Sequence, residues 1–285
     1  MPDDRLFALY DEYCHSGMPR REFLRRAAAF GAVAAAAAML PDYARACQVQ
    51  FTDERIVPEY VRFPSPGGNG TEMRAYVVRP KGDGRFPTVL VVHENRGLNP
   101  YIEDVARRLG VAGYLAVAPD ALWPVGGYPG NDEDGKALQS KLDHERILAD
   151  MVNAARFARG HARSNARLGV VGFCFGGAVC NELAVRLGSD LQAAAPFYGR
   201  PAEKGAFDKI RARMVLHYAE NDNGVNGTRA AYEAELEKNK VAFEAFSYPG
   251  TQHGFHNDST PRYDAVAAEL AWKRTIDLFA ATLSG

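Results

Sequence analysis

The stretch LGVVGFCFGG, residues 168–177, decides the fold of this chain. Its apolar first half is typical of a buried strand, and the glycine-rich second half runs directly into a helical pattern over residues 177–186. Cys174 stands at the centre of a Gly-x-Cys-x-Gly pattern, between Gly172 and Gly176. Such a turn holds its central side chain in a strained conformation at the tip of a strand. We expect glycine on either side because a Cβ there would collide with neighbouring backbone.

Apolar, β-rich runs alternate with helical patterns along the rest of the chain. Strands are predicted at residues 73–78, 88–93, 115–118, 168–172, 193–197, 214–218 and 243–248. Helices are predicted at residues 100–112, 143–159, 177–186, 228–239 and 262–283, the last with Val266, Leu270, Ile276 and Phe279 on one buried stripe. Several strand runs are continuously apolar, as strands covered by helices on both faces require. The pattern therefore predicts a single α/β domain with a mostly parallel central sheet and helices on both faces.

Composition excludes several classes of function. With 34 Lys and Arg against 35 Asp and Glu, the formal net charge is -1. The protein therefore has no net positive charge that would attract nucleic acid or an anionic membrane. Hydrophobic residues make up 47% of the 285 residues, which excludes wholesale disorder. The four cysteines are too few and too irregularly spaced for a disulfide scaffold or a paired zinc site. We expect a monomer that binds a small molecule and uses no metal and no cofactor.

The first 46 residues differ from the rest and predict an export signal. Four arginines between residues 20 and 26 precede an uncharged, alanine-rich run over residues 27–40, which is too short to span a membrane. The pair Arg20 and Arg21 indicates a twin-arginine signal, and Ala44 and Ala46 suit cleavage before Cys47. This predicts a mature domain of residues 47–285, periplasmic or secreted, with no stable membrane anchor after processing. The alternative is a cytoplasmic protein that keeps an alanine-rich N-terminal helix packed on its domain.

Two further residues suit a catalytic triad with Cys174. Asp222 follows the strand predicted at 214–218, and His253 follows the last strand, so both are expected at the same edge of the sheet as Cys174. A thiol needs a base, and the base needs an orienting acid, in the chain order nucleophile, acid, histidine. Glu220 and His256 are the rivals for the last two roles. The alternative for Cys174 is a buried structural cysteine in a tight turn.

Another strand ends in a cluster of polar residues, His93, Glu94 and Asn95. At this position the backbone N–H of Asn95 is expected to pair with that of Phe175, the residue after Cys174, and to form an oxyanion hole. Glu94 is then expected to point toward Cys174. The alternative is an ordinary strand end, in which His93 and Glu94 satisfy buried backbone groups.

Together these motifs resemble the dienelactone hydrolase family of the α/β-hydrolase fold. The resemblance rests on residues 172–177, 93–95, 118–120, 196–199 and 253–255, and it covers about residues 50–285. It implies the α/β-hydrolase fold, with Cys174 as nucleophile, His253 as general base and then acid, and Asp222 as the orienting carboxylate. It also implies that Glu94 interacts with the cysteine and helps to form the thiolate when substrate binds.

The expected activity is hydrolysis of small carboxylic esters or lactones through a thioester acyl-enzyme. A thiolate is a better leaving group than an amine, so esters are favoured over peptides. The other readings are a thioesterase or short-peptide hydrolase on the same triad, and a non-catalytic or redox-responsive protein with this fold.

The substrate pocket departs from the family pattern. Family members that act on dienelactone hold its carboxylate with two arginines, but residues 119–125 and 253–257 supply none in register. Arg96 and Arg262 are the candidates from elsewhere in the chain. A largely apolar pocket is predicted from Trp123, Tyr128, Phe173, Phe175, Tyr198 and His256. Dienelactone itself is therefore not the expected substrate.

Overall fold

An eight-stranded sheet organises the chain in a computed structural model that describes residues 5, 9, 12, 13, 18, 20–34, 47–203 and 206–284. The strands are β1 (Ile56–Pro64), β2 (Glu72–Pro80), β3 (Phe86–Val92), β4 (Leu115–Pro119), β5 (Ser164–Phe173), β6 (Ala193–Phe197), β7 (Arg213–Asn221) and β8 (Phe243–Gln252). Their order is β1-β2-β4-β3-β5-β6-β7-β8. Only β2 runs antiparallel to its two neighbours, and all other pairs are parallel.

The helices are α1 (Arg20–Ala28), α2 (Pro100–Val111), α3 (Asp132–Gln139), α4 (His144–Gly160), α5 (Phe175–Leu187), α6 (Asn223–Lys238) and α7 (Ala265–Leu283). Both faces of the sheet are covered, by α4 and α5 on one side and by α2 and α7 on the other. Successive side chains of β3 enter opposite cores: Leu90 and Val92 pack with α4 and α5, whereas Val89 and Val91 pack with α2 and α7. Both faces of the strand are buried, and this explains its continuous apolar run.

From residue 47 onward, all seven predicted strands and all five predicted helices are present, with differences at their ends, and one strand and one helix were missed. β1 is an antiparallel edge strand in which only Ile56 and Phe63 are buried, so it lacks an apolar run. Helix α3 carries three acidic residues in its first turn and buries only Gly135 and Gln139. Neither segment has the hydrophobic periodicity that would have indicated it.

The predicted apolar stripe of α7 is wrong at its N-terminal end. Val266 is 79% exposed and Leu270 is 42% exposed. The face that packs on the sheet instead carries small residues, including Ala267, Ala268 and Ala271. Because alanine side chains are small, this end of the helix can lie close to the sheet.

The N-terminal segment has its own small apolar cluster of Leu9, Met18, Phe23 and Ala27. It touches the rest of the protein where the Lys136 amine of α3 donates to the Tyr13 carbonyl. The predicted cleavage region, residues 44–46, lies outside the described residues. Among the residues that the structure describes, no helix has both the length and the apolar character needed to cross a membrane.

The start of the predicted mature domain is tied firmly to α2. The Val49 amide donates to Asp104 Oδ1 at 2.8 Å, and the Val49 carbonyl accepts from Arg107 Nε at 2.5 Å. Asp104 is 1% exposed and also pairs with Arg108. Residues 47–49 are therefore anchored to the catalytic domain.

Candidate active site

Cys174 occupies the sharp turn between β5 and α5, residues 172–176, which we call the elbow. Its backbone has φ 56° and ψ −113°, a conformation that L residues rarely adopt. A Cβ on Gly172 would lie 2.2 Å from the Gly176 carbonyl oxygen, and a Cβ on Gly176 would lie 2.2 Å from the carbonyl oxygen of Val92. The expected strain and the expected need for both glycines are thus confirmed. The turn presents the half-buried Cys174 at the carboxyl edge of the sheet.

His253 links Cys174 to Asp222. Its Nδ1–H donates to Asp222 Oδ2 at 2.6 Å, and the ring also makes a hydrogen bond with Cys174. Asp222 caps the N-terminus of α6, where its Oδ1 accepts from the Val225 amide at 3.2 Å. Because each carboxylate oxygen has its own partner, the orientation of Asp222 is fixed. The three side chains predicted as a triad lie together.

The protonated form of His253 is favoured at this place. Burial alone lowers the pKa of its imidazole, but an ionised Cys174 and the hydrogen bonds that the ring donates to Asp222 and Cys174 outweigh burial and raise that pKa to about 9. A positive ring beside the sulfur in turn favours the thiolate. The arrangement can therefore hold an imidazolium–thiolate pair at neutral pH.

The rivals for these roles lie elsewhere. Glu220 is exposed, and its Oε2 accepts from the Gly250 amide at 2.8 Å. His256 is 2% exposed, and its Nδ1 shares a hydrogen bond of 2.7 Å with the Tyr101 hydroxyl. Burial keeps the pKa of His256 well below its ordinary value, so this ring is neutral.

Two residues predicted to line the substrate pocket are packed in the core next to Cys174. Phe173 is fully buried, and its ring packs on His256 with centroids 5.0 Å apart. Phe197 completes this layer, 4.9 Å from Phe173. Like Tyr198, the side chains of Phe173 and His256 are almost completely buried in this structure, and their role in binding substrate stays a prediction. Their apolar bulk fills the core beneath the elbow.

His93 is a structural residue, as the alternative reading of this strand end proposed. Its Nε2 accepts from the Ala121 amide at 3.1 Å, so the proton lies on Nδ1 and is donated to the Glu94 carbonyl at 2.5 Å. The ring is fully buried, and burial lowers its pKa. A neutral His93 thus joins the loop after β3 to the loop after β4 and fixes the start of the Glu94 segment.

The Glu94 side chain is buried near Cys174. It is 2% exposed, and its Oε2 accepts from Asn257 Nδ2 at 2.9 Å. Burial raises the pKa of Glu94, Arg96 and Arg262 oppose this rise, and an ionised Cys174 adds to it. Glu94 is therefore easier to protonate than an exposed carboxylate. Asn257 was missed by the sequence analysis, because no pattern linked it to Glu94.

The two predicted oxyanion donors lie on the two loops that meet at the elbow. Phe175 is the first residue of α5, so its N–H takes no part in the hydrogen bonds of that helix. Asn95 lies in the loop after β3, next to Glu94, and is partly exposed. Their role as oxyanion donors stays a prediction.

The remaining aromatic residues predicted for the pocket have distinct environments. Tyr198 has φ 39° and packs its ring 4.9 Å from that of His253. Trp123 lies between two guanidinium groups, those of Arg62 and Arg74, each 4.7 Å from its ring. Tyr128 donates its hydroxyl proton to Asp132 at 2.9 Å. Of these rings, that of Tyr198 is in direct contact with a proposed catalytic residue.

One exposed histidine near the elbow was also missed. His144 begins α4, and its ring packs edge-on against that of Phe175 with centroids 5.9 Å apart. It lies in a loop-to-helix junction that carried no catalytic motif, so only tertiary structure brings it to Phe175, the residue after Cys174.

The two arginines considered from elsewhere both act on Glu94. Arg96 pairs with Asp132 at 2.7 Å in a largely buried ion pair. Arg262 is 6% exposed and lies against Gly254, which has φ +87°; a Cβ there would be 3.0 Å from the guanidinium. The chain thus supplies a guanidinium next to His253 from a position outside the family register.

Among the described residues, no group of three or more His, Cys, Asp or Glu side chains is arranged to hold a metal ion. Cys174 and Cys180 are both free thiols.

This strand order, with a strained nucleophile turn after β5, defines an α/β-hydrolase. The chain belongs to the dienelactone hydrolase family, whose model matches residues 73–283. A second family model, described as YqhI-like, matches residues 3–32.

Relatives and solved structures agree with this assignment. An Escherichia coli protein named "Putative carboxymethylenebutenolidase" is 32% identical over 248 residues, 81% of this chain and 89% of that protein. "Putative hydrolase fragment YghX", also from Escherichia coli, is 62% identical over 104 residues, 36% of this chain and 88% of the fragment. The crystal structure of a "Putative Dienelactone Hydrolase" from Klebsiella pneumoniae is 30% identical, with a TM-score of 0.66 over 78% of this chain and 99% of that one. The chain is therefore a member of a hydrolase family.

Proposed function

We propose that this protein hydrolyses small carboxylic esters or lactones with Cys174 as its nucleophile. The observation that carries the proposal is the contact of His253 with both Cys174 and Asp222 at the tip of the elbow. The names of relatives, carboxymethylenebutenolidase among them, support a lactone or ester as substrate.

The first half of the reaction forms a thioester. The Cys174 thiolate attacks the carbonyl carbon, a carbon–sulfur bond forms, and the electron pair moves onto the carbonyl oxygen. The N–H groups of Phe175 and Asn95 stabilise this oxyanion. When the intermediate collapses, the carbon–oxygen bond to the leaving alkoxide breaks, and His253 gives it a proton. In a lactone the alkoxide stays attached as a free hydroxyl group.

The second half releases the acid. His253, now neutral, takes a proton from water as the water oxygen attacks the thioester carbon. The carbon–sulfur bond then breaks, the carboxylic acid leaves, and Cys174 returns as a thiolate beside the imidazolium. Asp222 stabilises that imidazolium in both halves and keeps Nε2 directed at the reacting atoms.

The test replaces Cys174 and uses a second cysteine as control. We expect wild-type protein to hydrolyse activated aryl acetates in a reducing buffer, and Cys174→Ala to abolish turnover while the melting temperature stays near that of wild type. Cys180→Ala is the matched control, because this thiol is fully buried beneath the elbow and should be dispensable for chemistry. An acid quench with excess enzyme should trap an acetyl group on the peptide that contains Cys174.

The outcomes also separate the other readings. Turnover that persists in Cys174→Ala contradicts the proposal. A wild-type protein with no turnover and no acyl burst, but with fast reversible oxidation of Cys174, would be the redox-responsive alternative. A panel of esters, thioesters and short peptides ranks the substrate classes on the same triad.

A further inference from the structure

Asn257 has a fixed orientation. It is 1% exposed, and its Oδ1 accepts hydrogen bonds from the Ser259 amide at 3.0 Å and from the Ser259 hydroxyl at 2.6 Å. A backbone N–H can only donate, so the amide oxygen must face Ser259. The NH₂ group of Asn257 therefore faces Glu94 and can only donate to it.

This contact uses one oxygen of Glu94. Asn257 Nδ2 lies 2.9 Å from Glu94 Oε2, and both side chains are almost completely buried. A neutral donor steadies the carboxylate without adding a charge, whereas the surroundings of Glu94 hold several ionisable groups. The groups whose charge acts on Glu94, or on which Glu94 acts, are Arg96, Asp132, Cys174, Arg262, Tyr101 and Tyr198.

We propose that Asn257 is a positioning residue, which holds Glu94 by Oε2 and leaves the other carboxylate oxygen directed at the thiol of Cys174. The new element is the role of Asn257, because the family resemblance already implies that Glu94 helps to form the thiolate. In this arrangement Glu94 accepts the proton of a Cys174 thiol, while His253 keeps the proton that it later gives to the leaving alkoxide. The sulfur–hydrogen bond breaks, an oxygen–hydrogen bond forms on Glu94, and no other bond changes. The inference rests on the proposed function, since it assigns a partner to the same cysteine.

Asn257→Asp separates this role from a structural one. Aspartate has the same shape and still accepts both bonds from Ser259, so the turn at residues 257–260 is kept. At Glu94, however, the donor becomes an acceptor, and two carboxyl groups then share one site. Such a pair holds one proton at neutral pH and loses it only at higher pH, when the second negative charge opposes formation of the Cys174 thiolate.

The experiment measures the rate at which iodoacetamide alkylates Cys174 from pH 5 to 10, together with kcat/KM for an aryl acetate. In Asn257→Asp we expect the alkylation profile to gain an extra ionisation and to move up by about one pH unit or more. We expect kcat/KM at neutral pH to fall about 10-fold or more. Glu94→Gln combined with Asn257→Asp should remove the extra ionisation, because a single carboxylate remains and the glutamine can donate to it.

The matched control is Asn165→Asp at the opposite edge of the sheet. Asn165 has the same bonding pattern, since its Nδ2 donates to the Leu283 carbonyl at 3.1 Å and its Oδ1 accepts from the Arg167 amide at 2.9 Å. This variant should leave both pH profiles unchanged.

Two failures are distinguishable. If Cys174 is needed for turnover but Asn257→Asp has the wild-type profile, with only its melting temperature altered, Asn257 is structural and the inference is wrong. If Cys174→Ala retains turnover, the proposed function itself fails. If Asn257→Asp fails to fold, the alkylation profile of the double variant, which keeps a hydrogen bond between the two positions, is compared with that of Glu94→Gln.

Discussion

The Asp222 carboxylate sets the protonation state of His253. Its hydrogen bond of 2.6 Å to Nδ1 is one of the interactions that raise the pKa of His253 from 6.5 to about 9. Protonated His253 therefore stabilises the folded protein fully below about pH 6.5, and this contribution is lost as the pH rises through about 9. As the pH rises through about 9, His253 also loses the proton that makes it the partner of a Cys174 thiolate.

The variant Asp222→Asn tests whether Asp222 controls the protonation of His253. The amide no longer stabilises the imidazolium, so we expect the pKa of His253 to fall. Because less imidazolium then stabilises the thiolate, the rise of Cys174 alkylation by iodoacetamide should move to higher pH. We expect kcat to fall on the order of 10³- to 10⁴-fold, as in serine triads that lose their carboxylate. Asp208→Asn, remote from the elbow on the loop between β6 and β7, is the control. An unchanged profile in Asp222→Asn would show that Asp222 does not act on His253.

Some residues of the candidate active site could be predicted from the sequence, and others could not. Cys174, Asp222 and His253 each follow a recognisable strand, and parallel strands end at one edge, so chain order alone brought them together. Asn257 and Arg262 lie in the irregular segment between β8 and α7, which has no periodicity. Their contacts depend on how that segment folds back on Glu94, and no local pattern encodes that path.

The junction of β5 with α5 depends on close backbone contact with β3. A Cβ at residue 176 would lie 2.2 Å from the Val92 carbonyl oxygen and 2.7 Å from that of His93. These atoms belong to backbone, which cannot move without disturbing the central strand. The same contact sets the distance between Cys174 and the Glu94 loop.

Gly176→Ala should therefore destabilise the protein by about 2 kcal/mol or more, the cost of overpacking a site that cannot relax. Urea unfolding followed by circular dichroism measures this. Gly227→Ala is the control within α6, because nothing lies within 4 Å of its Cβ position; there we expect no loss, or a gain of about 0.5–1 kcal/mol. Equal unfolding midpoints for the two variants would contradict the argument.

Elements were predictable where burial on both faces produced long apolar runs. The parallel strands β3 to β7 were found for this reason. β1 and α3 bury few side chains, so packing against neighbours specifies them more than their own pattern does. At the N-terminal end of α7 the buried face consists of alanines, so there hydrophobicity alone pointed to the exposed Val266 and Leu270 instead.

At the scale of the whole molecule, the division of the chain at residue 47 is a prediction. Residues 47–49 are held by Asp104 and Arg107 of α2, so the domain has its own anchored start. The preceding segment touches α3 through Tyr13 and Lys136, a contact that a retained cytoplasmic helix would also make. We propose that residues 1–46 direct export and are removed.

Replacement of both Arg20 and Arg21 by lysine tests this proposal in a bacterial host with a twin-arginine pathway. We expect the wild-type protein to reach the periplasm with Cys47 as its first residue, and the double variant to stay in the cytoplasm, because that pathway reads the arginine pair itself and not its charge. The same change at Arg25 and Arg26 keeps the pair at 20 and 21 and should not alter export. Cell fractionation and N-terminal sequencing give the answer, and a wild-type chain that stays in the cytoplasm with its first residues intact would make the N-terminal segment a permanent part of the enzyme, packed on α3.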